Sequence, residues 1–150
     1  QLEYGDRVPF VISSPGDYEV KEIFIKGAMV ESNISNKKYI NTIYSLSIDN
    51  INIAFLGAIC TDNLTKEVLE SINEPDILFI PVGMVDTKDA AKIASMLEPK
   101  IVIPMEYDKD SLKAFLKEMG NENTEQVDKL TLKRKDLEGK EGEVVVLKVS

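Results

Sequence analysis

Two short runs, Ile77-Leu78-Phe79-Ile80 and Ile101-Val102-Ile103, are apolar at every position, and prolines (Pro81 and Pro104) close them. Runs this short and this apolar read as strands covered on both faces. Between them Ala90, Ile93, Ala94 and Leu97 fall at helical spacing, with Thr87 as the expected cap and Pro99 beyond the end. Upstream, Val68, Leu69 and Ile72 mark another helix, with Thr65 as its cap and Leu64 placed to staple against Leu69. The strand–helix–strand–helix–strand order from Ile51 to Ile103 implies parallel strands with right-handed crossovers. Both helices then lie on one face of the sheet, and the second apolar face needs a cover. That cover is another part of this chain, a segment absent from it, or a second copy. A third helix, marked by Leu112, Phe115, Leu116 and Met119 and closed by Gly120, could reach; the last strands are expected to extend the sheet.

The first third reads as β structure. Val11 and Ile12 lead into a turn-forming cluster, Ser13 to Asp17, and beyond it Ile23 and Ile25 alternate with Glu22, Phe24 and Lys26. Residues 31–41 are polar and read as a surface loop. Tyr44, Leu46 and Ile48, then Ile51, Ile53 and Phe55, alternate with their neighbours around Asp49-Asn50, the pattern of a hairpin. Near the end, Leu130 and Leu132 suggest a strand, Gly139 to Gly142 a turn, and Val144 to Val149 a closing strand.

A length of 150 residues fits a single domain, and 43% hydrophobic with 29% charged residues is the composition of a globular chain. The net charge of −8 argues against nucleic acid as a partner. The basic run Lys133-Arg134-Lys135 is followed at once by Asp136 and Glu138 and reads as solvated surface. No run approaches the ~18 apolar residues of a membrane helix, and no export leader is visible. The chain starts at Gln1, as a processed, trimmed or recombinant piece would. A single cysteine, Cys60, fits a reducing, cytoplasmic setting and reads as a small core residue.

The chain has no histidine. It therefore cannot build an imidazole-ligated zinc site or a Ser-His or Cys-His pair from its own residues. Three loops after the parallel strands gather at one sheet edge, where ligands bind in such sheets. They are Gly57 to Cys60, Val82 to Asp86, and Met105 to Asp108. Asp62, Asp86, Glu106 and Asp108 could form a carboxylate site for Mg²⁺ or Ca²⁺, but Asp62, Asp86, Asp108 and Asp110 lie just before helices, where aspartates cap. Backbone amides near Gly57, Gly83 and Thr87 could hold an anion. Neither phosphate-loop nor dinucleotide-binding glycine patterns occur.

Six segments carry a resemblance. Ser14-Pro15-Gly16-Asp17-Tyr18-Glu19-Val20, Ile25-Lys26-Gly27, Asn41-Thr42-Ile43-Tyr44, Phe55-Leu56-Gly57-Ala58, Asp76 to Gly83, and Pro99 to Tyr107 resemble the C-terminal half of the metallo-β-lactamase superfamily. The nearest branch is its Zn-dependent hydrolase group, which includes the ascorbate-phosphate lactonase. The resemblance implies an α/β/β/α sandwich, of which this chain holds mostly the C-terminal half: a mixed sheet with helices on one face. It also implies a Zn or Mn site at the sheet edge. The family's His-x-His-x-Asp-His motif belongs to the half this chain largely lacks. Where the family reads His-Leu-Gly-Asp, this chain has Phe55-Leu56-Gly57-Ala58; where it reads Pro-Met-His-Tyr, this chain has Pro104-Met105-Glu106-Tyr107. The bridging aspartate is thus Ala58 and a ligating histidine is Glu106.

The expectation is a degenerate, metal-free member acting as a binding or assembly module. It would have no catalytic or metal residues and a vestigial pocket at Gly57, Ala58, Gly83, Thr87 and Glu106. Its open sheet face would be covered by a second copy or by the missing N-terminal half. The alternatives are a metal-dependent lactonase or phosphoesterase whose metal motif lies on that missing half, and a non-catalytic small-ligand domain.

Overall fold

Three tight hairpins in succession build the first half of the sheet. The computed structural model describes residues 8–59, 63–72 and 74–148. Strands β1 (Gly16–Val20), β2 (Ile23–Ile34), β3 (Lys37–Ile48) and β4 (Ile51–Phe55) pair antiparallel in that order. Their connections are the two-residue turns Lys21-Glu22, Ser35-Asn36 and Asp49-Asn50, and all six residues have φ between 50° and 66°. A left-handed pair is the turn geometry that matches the twist of a hairpin. Asp49-Asn50 is the turn expected from sequence. Lys21-Glu22 is not: it carries no glycine, asparagine or aspartate, and the Ser13–Asp17 cluster upstream drew the expectation instead. Only Ser14 and Pro15 of that cluster bend, and Gly16 onward is strand.

The expected loop at 31–41 is the far end of the β2–β3 hairpin. Each strand runs 12 residues. There the arm projects past β1 and the paired part of β4, so its outward positions stay wet and are polar although the backbone is fully paired.

The second half alternates. Helix α1 (Lys66–Ile72) leads to β5 (Ile77–Pro81), α2 (Thr87–Leu97) to β6 (Ile101–Met105), and α3 (Lys109–Glu118) follows. β4, β5 and β6 are parallel, as the crossover order requires, and the short β8 (Glu143–Val144) adds beside β6. The result is a mixed seven-stranded sheet in the order β1-β2-β3-β4-β5-β6-β8. A separate pair joins β7 (Gln126–Val127) to β9 (Val146–Leu147), so the expected closing strand is split in two. Among the described residues no helix is long and apolar enough to cross a membrane.

All three helices lie on one face. Val68 and Ile72 of α1, Ala90, Ile93 and Ala94 of α2, and Leu112, Phe115 and Leu116 of α3 share a core with Leu78, Ile80 and Val102. The cap of α2 is Asp86, one residue before the expected Thr87; its carboxylate accepts from the Lys88 and Asp89 amides. Asp108 caps α3 in a reciprocal box with Ser111.

The second face is partly covered from within. Ile51, Ile77, Ile101 and Ile103 pack with Leu137, which is fully buried, and with Leu130, Leu132, Val145 and Leu147. The cover is the C-terminal segment, not α3. Leu130 and Leu132 form no strand; their side chains pack against the sheet face instead.

Candidate functional site

The three loops that leave the parallel strands do meet at one edge, and backbone packing decides their arrangement. Leu56 N–H donates to Phe79 O, and Val82 N–H donates to Met105 O, each at 3.0 Å, so each loop starts tied to the next strand. A Cβ placed on Gly83 would overlap the Glu106 carbonyl oxygen. Gly83 is therefore glycine because the third loop passes across it.

Glu106 sits at φ 49°, in the left-handed region, and is exposed. Its carboxylate makes no hydrogen bond or ion pair among the described residues. Met105 before it and Tyr107 after it are half-buried, and Tyr107 donates its phenol O–H to Leu147 O at 2.6 Å. The loop conformation is thus held by its neighbours, while Glu106 itself points a free carboxylate at solvent.

Ala58 is 3% exposed. Its carbonyl accepts from Ser32 Oγ at 2.6 Å and from Asn41 Nδ2 at 2.9 Å, and Asn41 Nδ2 also reaches Ser32 Oγ at 3.2 Å. Ser32 and Asn41 come from β2 and β3, inside the stretch whose polarity suggested a loop. They fasten the first loop to the hairpin arm by its backbone. Gly57 allows this: a Cβ there would stand 3.0 Å from Asn41 Cβ. Nothing in the sequence marks Ser32 and Asn41 as a pair until the β2–β3 register brings them to the helix-facing side of the sheet.

The other expected site residues do not converge. Thr87 opens α2 behind its Asp86 cap, and Asp108 spends its charge on the Ser111 amide at 2.8 Å. That amide holds the Asp108 carboxyl below its usual pKa. Asp86 and Asp108 are thus helix caps. Cys60 and Asp62 lie outside the described residues. Among the described residues no three carboxylates or thiols group as a metal site would require. Ala58 offers only a carbonyl that is already bonded twice. The donor set of a dinuclear Zn or Mn centre does not fit the residues described at this edge. A cavity of about 460 Å³ opens along α3 beside it, lined by Tyr107, Lys109, Leu112, Lys113 and Gln126 among others, and by none of the five expected pocket residues.

The opposite edge carries a charge network that the sequence reading missed. Asp76, 7% exposed, accepts from the Asn52 amide at 2.9 Å, from Lys100 Nζ at 2.7 Å and from Arg134 Nη1 at 2.6 Å. Arg134 also donates to Asn50 O at 3.2 Å, so part of the basic run is tied to the sheet, not simply solvated. Burial pushes the Asp76 carboxyl up, but the Asn52 amide, Lys100 and Arg134 together hold it below its usual value. The network lies at the N-terminal ends of β5 and β6, away from the loop edge, and its role is to join β4, β5, β6 and the C-terminal segment.

Fold and edge together define an α/β protein with a mixed sheet, helices on one face and three loops gathered at one sheet edge. The chain belongs to the metallo-β-lactamase superfamily. Residues 3–106 match the sequence profile of the beta-lactamase superfamily domain. A presumed Zn-dependent hydrolase of the metallo-β-lactamase superfamily from Thermotoga maritima is 32% identical, with a TM-score of 0.72 over 92% of this chain and 71% of that one. A presumed metal-dependent hydrolase from Parabacteroides distasonis shares the fold at 19% identity, with a TM-score of 0.59 over 93% of this chain and 58% of that one. No curated protein matches the chain significantly.

Proposed function

We propose that this chain uses the metallo-β-lactamase fold for binding and assembly, with no metal-dependent hydrolysis at its own loop edge. The observation that supports this most is the state of Ala58. The position at which the resemblance expects a bridging carboxylate is a buried methyl group. Its backbone oxygen is committed to Ser32 and Asn41. Glu106, at the other altered position, keeps the loop's path with a free carboxylate in place of an imidazole. Without histidine, the chain cannot supply the usual terminal ligands either. The single cysteine suits a cytoplasmic setting.

A second reading is favoured by the neighbours' assignments. The chain would be the larger part of a hydrolase whose metal-binding motif comes from a segment outside these 150 residues. Its substrates would be lactones or phosphoesters. Assays with lactone and phosphoester substrates, with added Zn²⁺ or Mn²⁺ and with or without a chelator, separate the two. The binding reading expects turnover no faster than buffer with the same metal. Chelator-sensitive hydrolysis by the chain joined to its upstream segment would establish the second reading instead, and buffer-level turnover by that longer protein would exclude it.

A further inference from the structure

We propose that the cavity along α3 is a binding site for a small organic anion, a carboxylate or phosphate ester carried on an apolar body. The inference goes beyond the loop-edge reading and does not depend on it.

A row of three lysines supplies the charge. Lys109, Lys113 and Lys117 all line the cavity. They stand four residues apart on α3, so they form one ridge, with about 6 Å between successive stems along the helix axis. All three are exposed, and none makes an ion pair or a side-chain hydrogen bond among the described residues. Six other cationic side chains do find carboxylates. With 26 acidic residues against 18 basic ones, composition does not force an unpaired row of positive charge.

The row also works against the helix that carries it. Like charges four residues apart repel, and Lys109 sits in the first turn, where the helix dipole disfavours a cation. An anion seated along the ridge relieves both. A local rule broken on the wall of a cavity is the pattern of a binding site.

The rest of the lining sets what the anion is attached to. Leu112 and Leu116 fall between the lysines on α3 and line the same cavity, together with Tyr107. The Tyr107 O–H is committed to Leu147 O, which holds its ring in place as an apolar wall. Gln126 of β7 lines the cavity from outside the helix. The two acidic residues in the lining, Asp108 and Glu122, do not cancel the row: three lysines against two carboxylates leave it at +1, in a chain of net charge −8. Asp108 moreover spends its carboxylate on the Ser111 amide. The volume of about 460 Å³ falls within the range of small-molecule sites. A bare inorganic ion leaves the leucines and the tyrosine ring unused, and a neutral or cationic ligand leaves the ammonium groups unpaired. An organic anion satisfies both.

Amide NMR of the isotope-labelled chain, titrated with octanoate and with octyl phosphate, tests this and separates the carboxylate from the phosphate. The expected result is saturable shifts centred on residues 107–126 with at least one of the two, at a Kd below about 1 mM. Octyltrimethylammonium, with the same body and the opposite charge, and inorganic phosphate, with charge and no body, should each bind these residues at least about tenfold more weakly. Lys113→Gln should weaken binding of the anion about fivefold or more, while its thermal midpoint holds or rises because the middle charge of the row is gone. Lys37→Gln, at the far hairpin tip, should leave binding unchanged. Four results would overturn the proposal: no saturable shift at residues 107–126 with either anion, shifts on the open sheet face alone, equal binding of octyltrimethylammonium, or binding indifferent to Lys113→Gln.

Discussion

At the loop edge single residues decide by shape and by backbone bonding more than by side-chain chemistry. Gly83 tolerates no side chain because a backbone oxygen occupies the place, and a backbone atom cannot swing aside. Gly83→Ala should cost about 1–3 kcal/mol in urea unfolding by the overpacking it forces. The clamp on the Ala58 carbonyl predicts a smaller loss. Asn41→Ala removes one of its two donors and leaves Ser32, so about 1 kcal/mol should disappear from the unfolding free energy. The five expected pocket residues were found by their places after strands, and that placement holds for the loops. The expectation that amides near Gly57, Gly83 and Thr87 could hold an anion rested on their place at the loop edge; the close approach of the Glu106 carbonyl oxygen to Gly83 is a feature that sequence does not mark. Ser32 and Asn41 were out of reach because a polar residue in a long hairpin arm looks the same as one in a loop until pairing fixes its face.

Elements are held together at the opposite edge. Asp76 links the start of β4, through the Asn52 amide, to Lys100 before β6 and to Arg134 in the C-terminal segment. Its folded carboxyl titrates below the unfolded value, so its contribution to stability is full above the ordinary carboxylate pKa of about 4. That contribution is lost as pH falls through about 4 towards the folded value. Asp76→Asn should therefore cost about 1–3 kcal/mol at pH 7, towards the lower end because Lys100 and Arg134 are partly exposed. The variant and the wild type should converge in stability as the pH is lowered below about 4. Urea midpoints between neutral and acidic pH measure this, and a gap that stays constant would show that Asp76 acts through shape alone. The elements themselves were legible where periodicity is strong: the parallel strands, α2 and α3 follow from apolar spacing alone. Legibility failed at Lys21-Glu22, where a left-handed turn is imposed on residues that do not favour it. It failed again at residues 31–41, where the positions that turn inward are polar, Ser32 and Asn41, so no apolar alternation marks the strands.

Across the whole molecule, the need for a cover on the second face followed from two wholly apolar strands, and part of that cover proves to be the segment that carries Leu130, Leu132 and Leu137. Its role could not be read from sequence, since leucines spaced by two suit an extended cover as well as a strand. The family relationship sets what remains: a sheet, a set of loops and an edge of the metallo-β-lactamase fold, with Ala58 and Glu106 at positions where the resemblance expects ligands. The most direct test is the metal content of the purified chain after equilibration with Zn²⁺ or Mn²⁺ and gel filtration, measured by mass spectrometry of the metal. The account predicts far less than one ion per chain. Two ions retained per chain, lost when Glu106 is replaced by alanine, would contradict it.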